Sequence, residues 1–268
     1  MKMEGRTPLY NDGRSFPHKM PDTAHTGLWY DKFCNRWKVY VDKNSEKNFW
    51  ELGNRKADWI QTVTKKRCGD KHLIQEAVER MEALVRARSG RLMYARTEGR
   101  FVTGLGRSHP VENGLVWHPV LGTPYLPGSS VKGMVRDWAE KWTGGSEIDR
   151  IFGSKHTDSS KHIGSVVFFD ALPRAAVKLE IDVMTPHFAP YYRDPKKHPP
   201  VERYAPIPIP FLTVSEGQSF VFAVAPRKKE DQCDVDKVMN WLKEALEWIG
   251  AGAKTSVGYG RFVVDGGV

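Results

Sequence analysis

Residues 235–264 read VDKVMNWLKEALEWIGAGAKTSVGYGRFVV: a helix, a glycine-rich loop and a strand in immediate succession. Val235, Val238, Met239, Leu242, Ala245, Leu246 and Ile249 recur at helical spacing, and Gly250 supplies the stop. The loop that follows, Gly250 to Gly260, sets four glycines around Lys254 and Thr255. Glycine lets a backbone approach a phosphate closely and turn its N–H groups toward it, and a lysine adds charge. Gly252, Lys254, Thr255 and Gly258 are therefore candidate phosphate contacts; the alternative is a tight helix-to-strand connection that holds no ligand. The same residues speak against an NTP-hydrolysing P-loop. That pattern needs glycine directly before the lysine, where Ala253 stands, and it runs from strand to helix rather than from helix to strand.

Upstream, a helix is expected over Lys71–Arg88, with Leu73, Ile74, Ala77, Val78, Met81, Leu84 and Val85 on one face, Asp70 as N-cap and Gly90 as the stop. Arg91 to Thr103 reads as extended and closes at Gly104-Leu-Gly106. A turn-rich loop over 107–128 leads into a helix from Ser129-Ser130 to about Trp142, striped by Val131, Met134, Val135, Trp138 and Trp142 and ended by Gly144-Gly145. Strand-like runs follow at Ser165–Asp170, Val177–Val183, Phe211–Val214 and Phe220–Val224, with a proline-rich insertion over 185–210 after the second. From Arg91 onward this is the β-α-β-β-α-β plan with extra strands. The expected fold is α+β: a ferredoxin-like (RRM-like) domain with an antiparallel sheet and insertions, the topology that RNA-recognition modules also use. The domain should span 69–268 behind a basic, tryptophan-rich extension over 1–68, whose first 27 residues form a loosely held arm.

The 268 residues are 40% hydrophobic and 27% charged, ordinary globular composition, with no apolar run long enough to span a membrane. The N-terminus lacks an apolar secretion segment, and Cys34, Cys68 and Cys233 lie too far apart for a zinc ribbon, so a reducing, cytoplasmic setting is expected. The formal net charge is +9, which favours nucleic acid as a partner. Residues 1–68 carry 14 Lys and Arg against 8 Asp and Glu, so most of the surplus sits there. Trp29, Trp37, Trp50 and Trp59 are interleaved with those cations. Bases could stack on such rings, although packing against the main domain is the preferred reading.

Two further segments bear chemistry. Pro127-Gly-Ser-Ser-Val-Lys-Gly-Met-Val-Arg136 opens a helix with glycine and serines, a pattern that binds anions through free N–H groups and the positive dipole end. Ser129 and Ser130 are candidates there, and Lys132 and Arg136 extend the positive face by one turn; the plainer reading is an N-cap and a solvated face. The insertion from His187 to Tyr204 combines stiff prolines with Tyr191, Tyr192, Lys196 and Lys197, which could wedge among bases or serve as a protein contact loop. The histidines at His109-Pro110, His118-Pro119 and His187 invite an acid–base reading. No second histidine or carboxylate stands at a site-like spacing, and His–Pro pairs commonly cap turns. No catalytic residue, metal site or cofactor is expected.

Three motifs together, Thr103-Gly-Leu-Gly-Arg-Ser-His-Pro-Val-Glu-Asn-Gly114, Trp117-His-Pro-Val-Leu-Gly-Thr-Pro-Tyr-Leu-Pro-Gly-Ser-Ser-Val-Lys-Gly133 and Gly250 to Phe262, resemble the RAMP superfamily of CRISPR proteins. Within it they are most similar to the family of sixth subunits of the type III-B effector, the Cmr complex. The resemblance covers about residues 90–265. It implies a ferredoxin-like core holding the 3′ side of a CRISPR guide RNA, next to the repeated Cmr backbone subunit and the first Cmr subunit, as a non-catalytic building block. On that resemblance Lys132 and Arg136 become guide-phosphate ligands, and the 185–210 insertion a thumb across the duplex of guide and target RNA. Val131 stands where leucine is commoner in the motif, and the tryptophan-rich extension departs from the family pattern. Two other readings stay open: a metal-independent endoribonuclease that processes CRISPR transcripts, and a basic adaptor that binds only protein.

Overall fold

The structure is a computed structural model and describes residues 19–41, 48–154, 162–201 and 204–266. The segment expected as an extension supplies α1 (Thr26–Lys32), a hairpin of β1 (Lys38–Val41) and β2 (Asn48–Glu51), and α2 (Lys56–Thr64). His25 caps α1: its Nδ1 accepts the Leu28 N–H at 3.0 Å and its Nε2–H donates to the His118 carbonyl at 3.1 Å. Trp29, Tyr30 and Trp59 are almost wholly buried in the main hydrophobic core. The rings of Tyr30 and Trp59 stack at 6.4 Å, and the Trp59 indole N–H donates to the Tyr30 carbonyl at 3.2 Å. Trp29 and Trp59 pack, as preferred, and Trp37 is half-buried against the same core, whereas Trp50 of β2 is exposed. Of the expected arm, residues 1–18 lie outside the described residues, and Thr26 and Gly27 already belong to α1.

Helix α3 (Lys71–Ala87) forms because Asp70 accepts the N–H groups of His72 and Leu73 at 2.9 and 3.0 Å, and because Ile74, Val78, Met81 and Val85 recur on one face. Leu73 and Leu84, counted in the expected stripe, stay exposed at its margin. Then follow β3 (Arg91–Thr97), α4 (Gly128–Trp138), α5 (Ile148–Phe152), β4 (Val166–Phe168), β5 (Leu172–Pro173), β6 (Leu179–Met184), α6 (Ala189–Arg193), β7 (Ile209–Val214), β8 (Ser219–Pro226), α7 (Gln232–Trp248) and β9 (Phe262–Val264).

The central sheet runs β4-β8-β3-β9, every neighbour antiparallel, with β5 continuing the edge of β8 beyond β4. With β3, β4, β8 and β9 as the four strands of the plan and α4 and α7 as its helices, this is the ferredoxin-like order. Alternation along β8 divides the core. Phe220, Phe222 and Val224 join the side covered by α4 and α7, whereas Val221 and Ala223 join the side covered by α3. The run expected at Val177–Val183 is displaced from this sheet: among the described residues β6 pairs with β7 alone, as a separate hairpin whose tip is the proline-rich insertion. Its foot is buried at Leu179, Leu212 and Val214 and packs against α2, while Val183 nearer the tip is exposed. Helix α4 runs on into one wide π turn, Ala139–Thr143, before Gly144 leaves it with φ +49°.

Candidate nucleic-acid interface

The glycine-rich loop is built against the continuation of β3. Ala253 N–H donates to the Val102 carbonyl at 2.8 Å, Gly260 N–H to Arg100 at 2.8 Å, and Ala251 N–H to Gly260 at 2.7 Å. Two glycines are obligatory there. A side chain on Gly252, at φ +87°, would meet the Val102 carbonyl at 2.2 Å, and one on Gly260, at φ +72°, would meet Ala251 O at 1.9 Å. The close approach expected of these glycines is thus used first by the chain itself.

A groove of about 470 Å³ lies where this loop faces α4. Gly104, Gly106, Gly133 of α4 and Gly252 line it together with the apolar Leu105, Leu126, Met134 and Ile249. Its polar side chains are Thr103, Ser130, Thr255 and the carboxylate of Asp137, which pairs with Lys141 at 2.8 Å. The structure therefore brings together three of the expected residues, Ser130, Gly252 and Thr255. It adds Gly104 and Gly133, which sequence reasoning passed over as site residues, although Gly104-Leu-Gly106 stood in plain view as a motif.

The other expected residues fall elsewhere. Lys254, left-handed at φ +60°, sets its ammonium 5.8 Å from the Phe211 ring and 5.9 Å from the Tyr259 ring, at the foot of the β6–β7 hairpin. Gly258, at φ +94°, is exposed in the turn beyond it. The Tyr259 hydroxyl donates to Asp182 of β6, and Arg100 bridges Asp182 and Glu180 at 2.9 and 3.3 Å. Burial and the Asp182 carboxylate push the Tyr259 phenol up to about 12. This network fastens the glycine-rich loop to the hairpin.

The helix opening at Gly128-Ser-Ser is occupied from within: the Gly128 N–H donates to Asp170 Oδ1 at 2.7 Å, so a carboxylate of the chain itself sits at the dipole end. Ser129 is exposed beside it. Arg136 is also engaged, with Glu140 and Asp149 both at 2.8 Å and the Gly153 carbonyl at 3.0 Å, tying α4 to α5. Lys132 differs. No acid pairs with it among the described residues, and burial together with the guanidiniums of Arg136 and Arg227 holds its ammonium below the usual lysine range. A cation so placed gains from an incoming anion. At the hairpin tip Tyr192 is 70% exposed and meets Tyr191 edge to face at 5.6 Å, while Lys196 and Lys197 are exposed beyond α6, Lys197 near Asp194 at 3.3 Å. Glu202 and Arg203 of the insertion lie outside the described residues.

The histidines cap turns. His109 Nδ1 accepts the Val111 N–H at 3.2 Å while Nε2–H donates to the Tyr30 carbonyl at 3.0 Å, and burial pushes this imidazole down to about 4. His118 Nδ1 accepts from both Val120 and Leu121 at 3.2 Å. Among the described residues no three His, Cys, Asp or Glu side chains gather as a metal site would require, and no helix is long and apolar enough to cross a membrane.

A ferredoxin-like sheet with a glycine-rich loop between its last helix and last strand, facing a glycine motif after its first strand, defines the class. The RAMP superfamily model matches residues 94–263, and the chain belongs to that superfamily. Among individual proteins it is 34% identical over 227 residues to the CRISPR system Cmr subunit Cmr6 of Pyrococcus furiosus, a match covering 63% of this chain and 66% of that one. It is 31% identical over 153 residues to the CRISPR system CMR subunit Cmr6 of Saccharolobus solfataricus, covering 56% and 48% respectively. The chain thus spans about half to two-thirds of the length of these relatives. A chain in the cryo-EM structure of the type III-B Cmr-beta complex bound to cognate target RNA shares the fold, with a TM-score of 0.64 at 24% identity over 80% of this chain and 72% of that one.

Proposed function

We propose that this protein is a non-catalytic, RNA-binding subunit of a type III-B CRISPR interference complex, holding the 3′ side of the guide RNA. The observation that carries this reading is the glycine-lined groove between Gly104, Gly133 and Gly252, beside a loop that Tyr259 and Asp182 fasten to a hairpin ending in the exposed Tyr192, Lys196 and Lys197. Glycines in the lining let a sugar-phosphate chain approach closely, and Lys254, between the lining residues Ala253 and Thr255, and Lys132, on α4, supply charge outside the groove. Similarity to the Cmr6 proteins supports the choice of complex. Its partners on this reading are guide RNA, target RNA, the Cmr backbone subunit and the first Cmr subunit, in the cytoplasm. The endoribonuclease alternative has less support: His109 and His118 use ring nitrogens to hold turns, and a proton shuttle needs them free.

The test is a deletion of Tyr191–Pro200 in the assembled complex. Native mass spectrometry should show full assembly with guide RNA retained, and a target-RNA titration should show weaker binding, since stacking contributes about 1–3 kcal/mol per base. Failure to assemble would make the hairpin tip a protein contact. Cleavage of CRISPR RNA by the isolated chain, abolished in His118→Ala, would establish the enzyme reading instead.

A further inference from the structure

A second and larger cleft, about 860 Å³, opens where the N-terminal segment meets the start of α3 and the Val120–Gly122 turn. Six basic side chains, Lys19, Arg36, Lys65, Lys66, Arg67 and Lys71, line it against two acids, Asp22 and Asp70. Both acids are occupied. Lys66 pairs with Asp22, and Asp70 caps α3. Arg67 is committed as well, to the Ala176 carbonyl and to Gln218 Oε1, each at 2.9 Å. Lys19, Lys65 and Lys71 meet no acid among the described residues.

Beneath the floor lie two donors that lack acceptors. Trp29 is 4% exposed, yet its indole N–H is buried without a hydrogen bond, and so is the Nε–H of Arg36. An orphaned buried donor is costly, so two beneath one cleft favour acceptor oxygens drawn close to it. Phe33 stacks on the Trp29 ring at 5.4 Å and Trp59 crowds it at 5.9 Å, so the indole faces are taken by the chain itself. A cleft with three lysines that meet no acid among the described residues takes oxyanions.

We propose that this cleft binds backbone phosphates of a single-stranded RNA, at a place separate from the glycine-lined groove. The ligand's class rests on the RNA-binding reading above; the location of the site does not. Three lysines on flexible stems suit successive phosphates, whereas an acidic peptide is better matched by the paired forks of free arginines. The connection between β3 and α4 contributes to both clefts, through Gly104–Gly106 to one and Val120–Gly122 to the other.

Fluorescence anisotropy with the full chain and a labelled ten-nucleotide oligouridylate, from 50 to 200 mM KCl, tests this. In K19A/K65A/K71A the log–log salt slope should fall by about 2, so that the loss of affinity across this range shrinks about 20-fold. Trp29→Phe keeps the ring and removes the N–H; it should weaken binding a few-fold with an unchanged near-UV circular dichroism spectrum. Lys132→Ala, in the other region, should leave the cleft's share of the slope intact. If the wild-type chain binds and the triple variant keeps its slope, the cleft is overturned and the functional reading stands. If the triple variant loses affinity for polyglutamate while retaining that for RNA, the ligand is an acidic protein and the proposal fails. A wild-type chain with no affinity for RNA would overturn the functional reading, and RNA as this cleft's ligand with it.

Discussion

The Tyr259 hydroxyl donates to Asp182 Oδ2 at 2.5 Å, across 77 positions of chain, while Arg100 holds the same carboxylate at 2.9 Å. The glycine-rich loop and the β6–β7 hairpin are thereby one mechanical unit, although they come from distant sequence.

Tyr259→Phe should loosen that unit. A hydrogen bond to a charged acceptor contributes about 1.5–3 kcal/mol, and partial exposure puts this one near the low end. Hydrogen exchange over 179–184 and 209–214 should quicken in the variant. Because the phenol is raised to about 12 from an unfolded value near 10, its contribution is full below pH 10 and falls away as pH rises toward 12. Equal exchange rates in both proteins would refute the coupling.

Lys132→Ala and Arg136→Ala should behave in opposite ways. Arg136 is held by two carboxylates and a carbonyl, so its removal should lower stability by about 2 kcal/mol in urea unfolding. Removal of Lys132 should leave stability unchanged or slightly higher and reduce the salt slope of RNA binding by about 0.7. A destabilised Lys132→Ala variant with an unaltered slope would make that lysine a structural residue.

Acid should weaken the fold through His109. Its folded value is lowered to about 4 against an unfolded value near 6.5, so the unfolded chain binds more protons between those limits. Stability is complete above pH 6.5 and should decline by about 2–3 kcal/mol as pH falls to 4, with Asp31 Oδ1 at 3.6 Å offsetting part of the loss. Urea titrations of wild type and His109→Gln should differ in slope over this window, and parallel curves would argue that other groups govern acid unfolding.

Trp59 is wholly buried and braced on Tyr30, so Trp59→Ala should cost about 3–5 kcal/mol. Removing residues 1–64 should leave an insoluble remainder, because α2 covers the foot of the β6–β7 hairpin. A soluble, cooperatively melting truncation would restore the view of this segment as an appendage.

The central strands and the three long helices were legible because their signals are local: a period of 3.6 with Asp70 as cap on α3, an apolar run between Gly217 and Pro226 for β8, and one between Gly260 and Gly266 for β9. What stayed hidden depends on long-range pairing. Nothing near Val177–Val183 says that β6 would leave the main sheet for β7, since a short apolar run pairs equally well with any edge. At the site, residue type indicated chemistry and not availability. Arg136 looked like Lys132 in sequence, yet Asp149 and Glu140, brought in by α5 and the next turn of α4, neutralise only the arginine. Likewise Asp170, forty-two positions from Gly128, fills a helix end that reads as vacant.

Helix α3 lays Ile74, Val78, Met81 and Val85 over the sheet face to which Val221 and Ala223 point. In four-stranded RNA-recognition modules that face is bare, and its aromatics read bases by stacking. Among the described residues it is closed here, which leaves loop rims, side-chain cations and the rings at the hairpin tip for gripping a strand, and contacts of that kind hold phosphate and sugar or stack on any base without sensing its identity. On the proposed function, a protein shaped in this way would be indifferent to the message carried by the strand it holds, and the same copy would serve guides of any sequence.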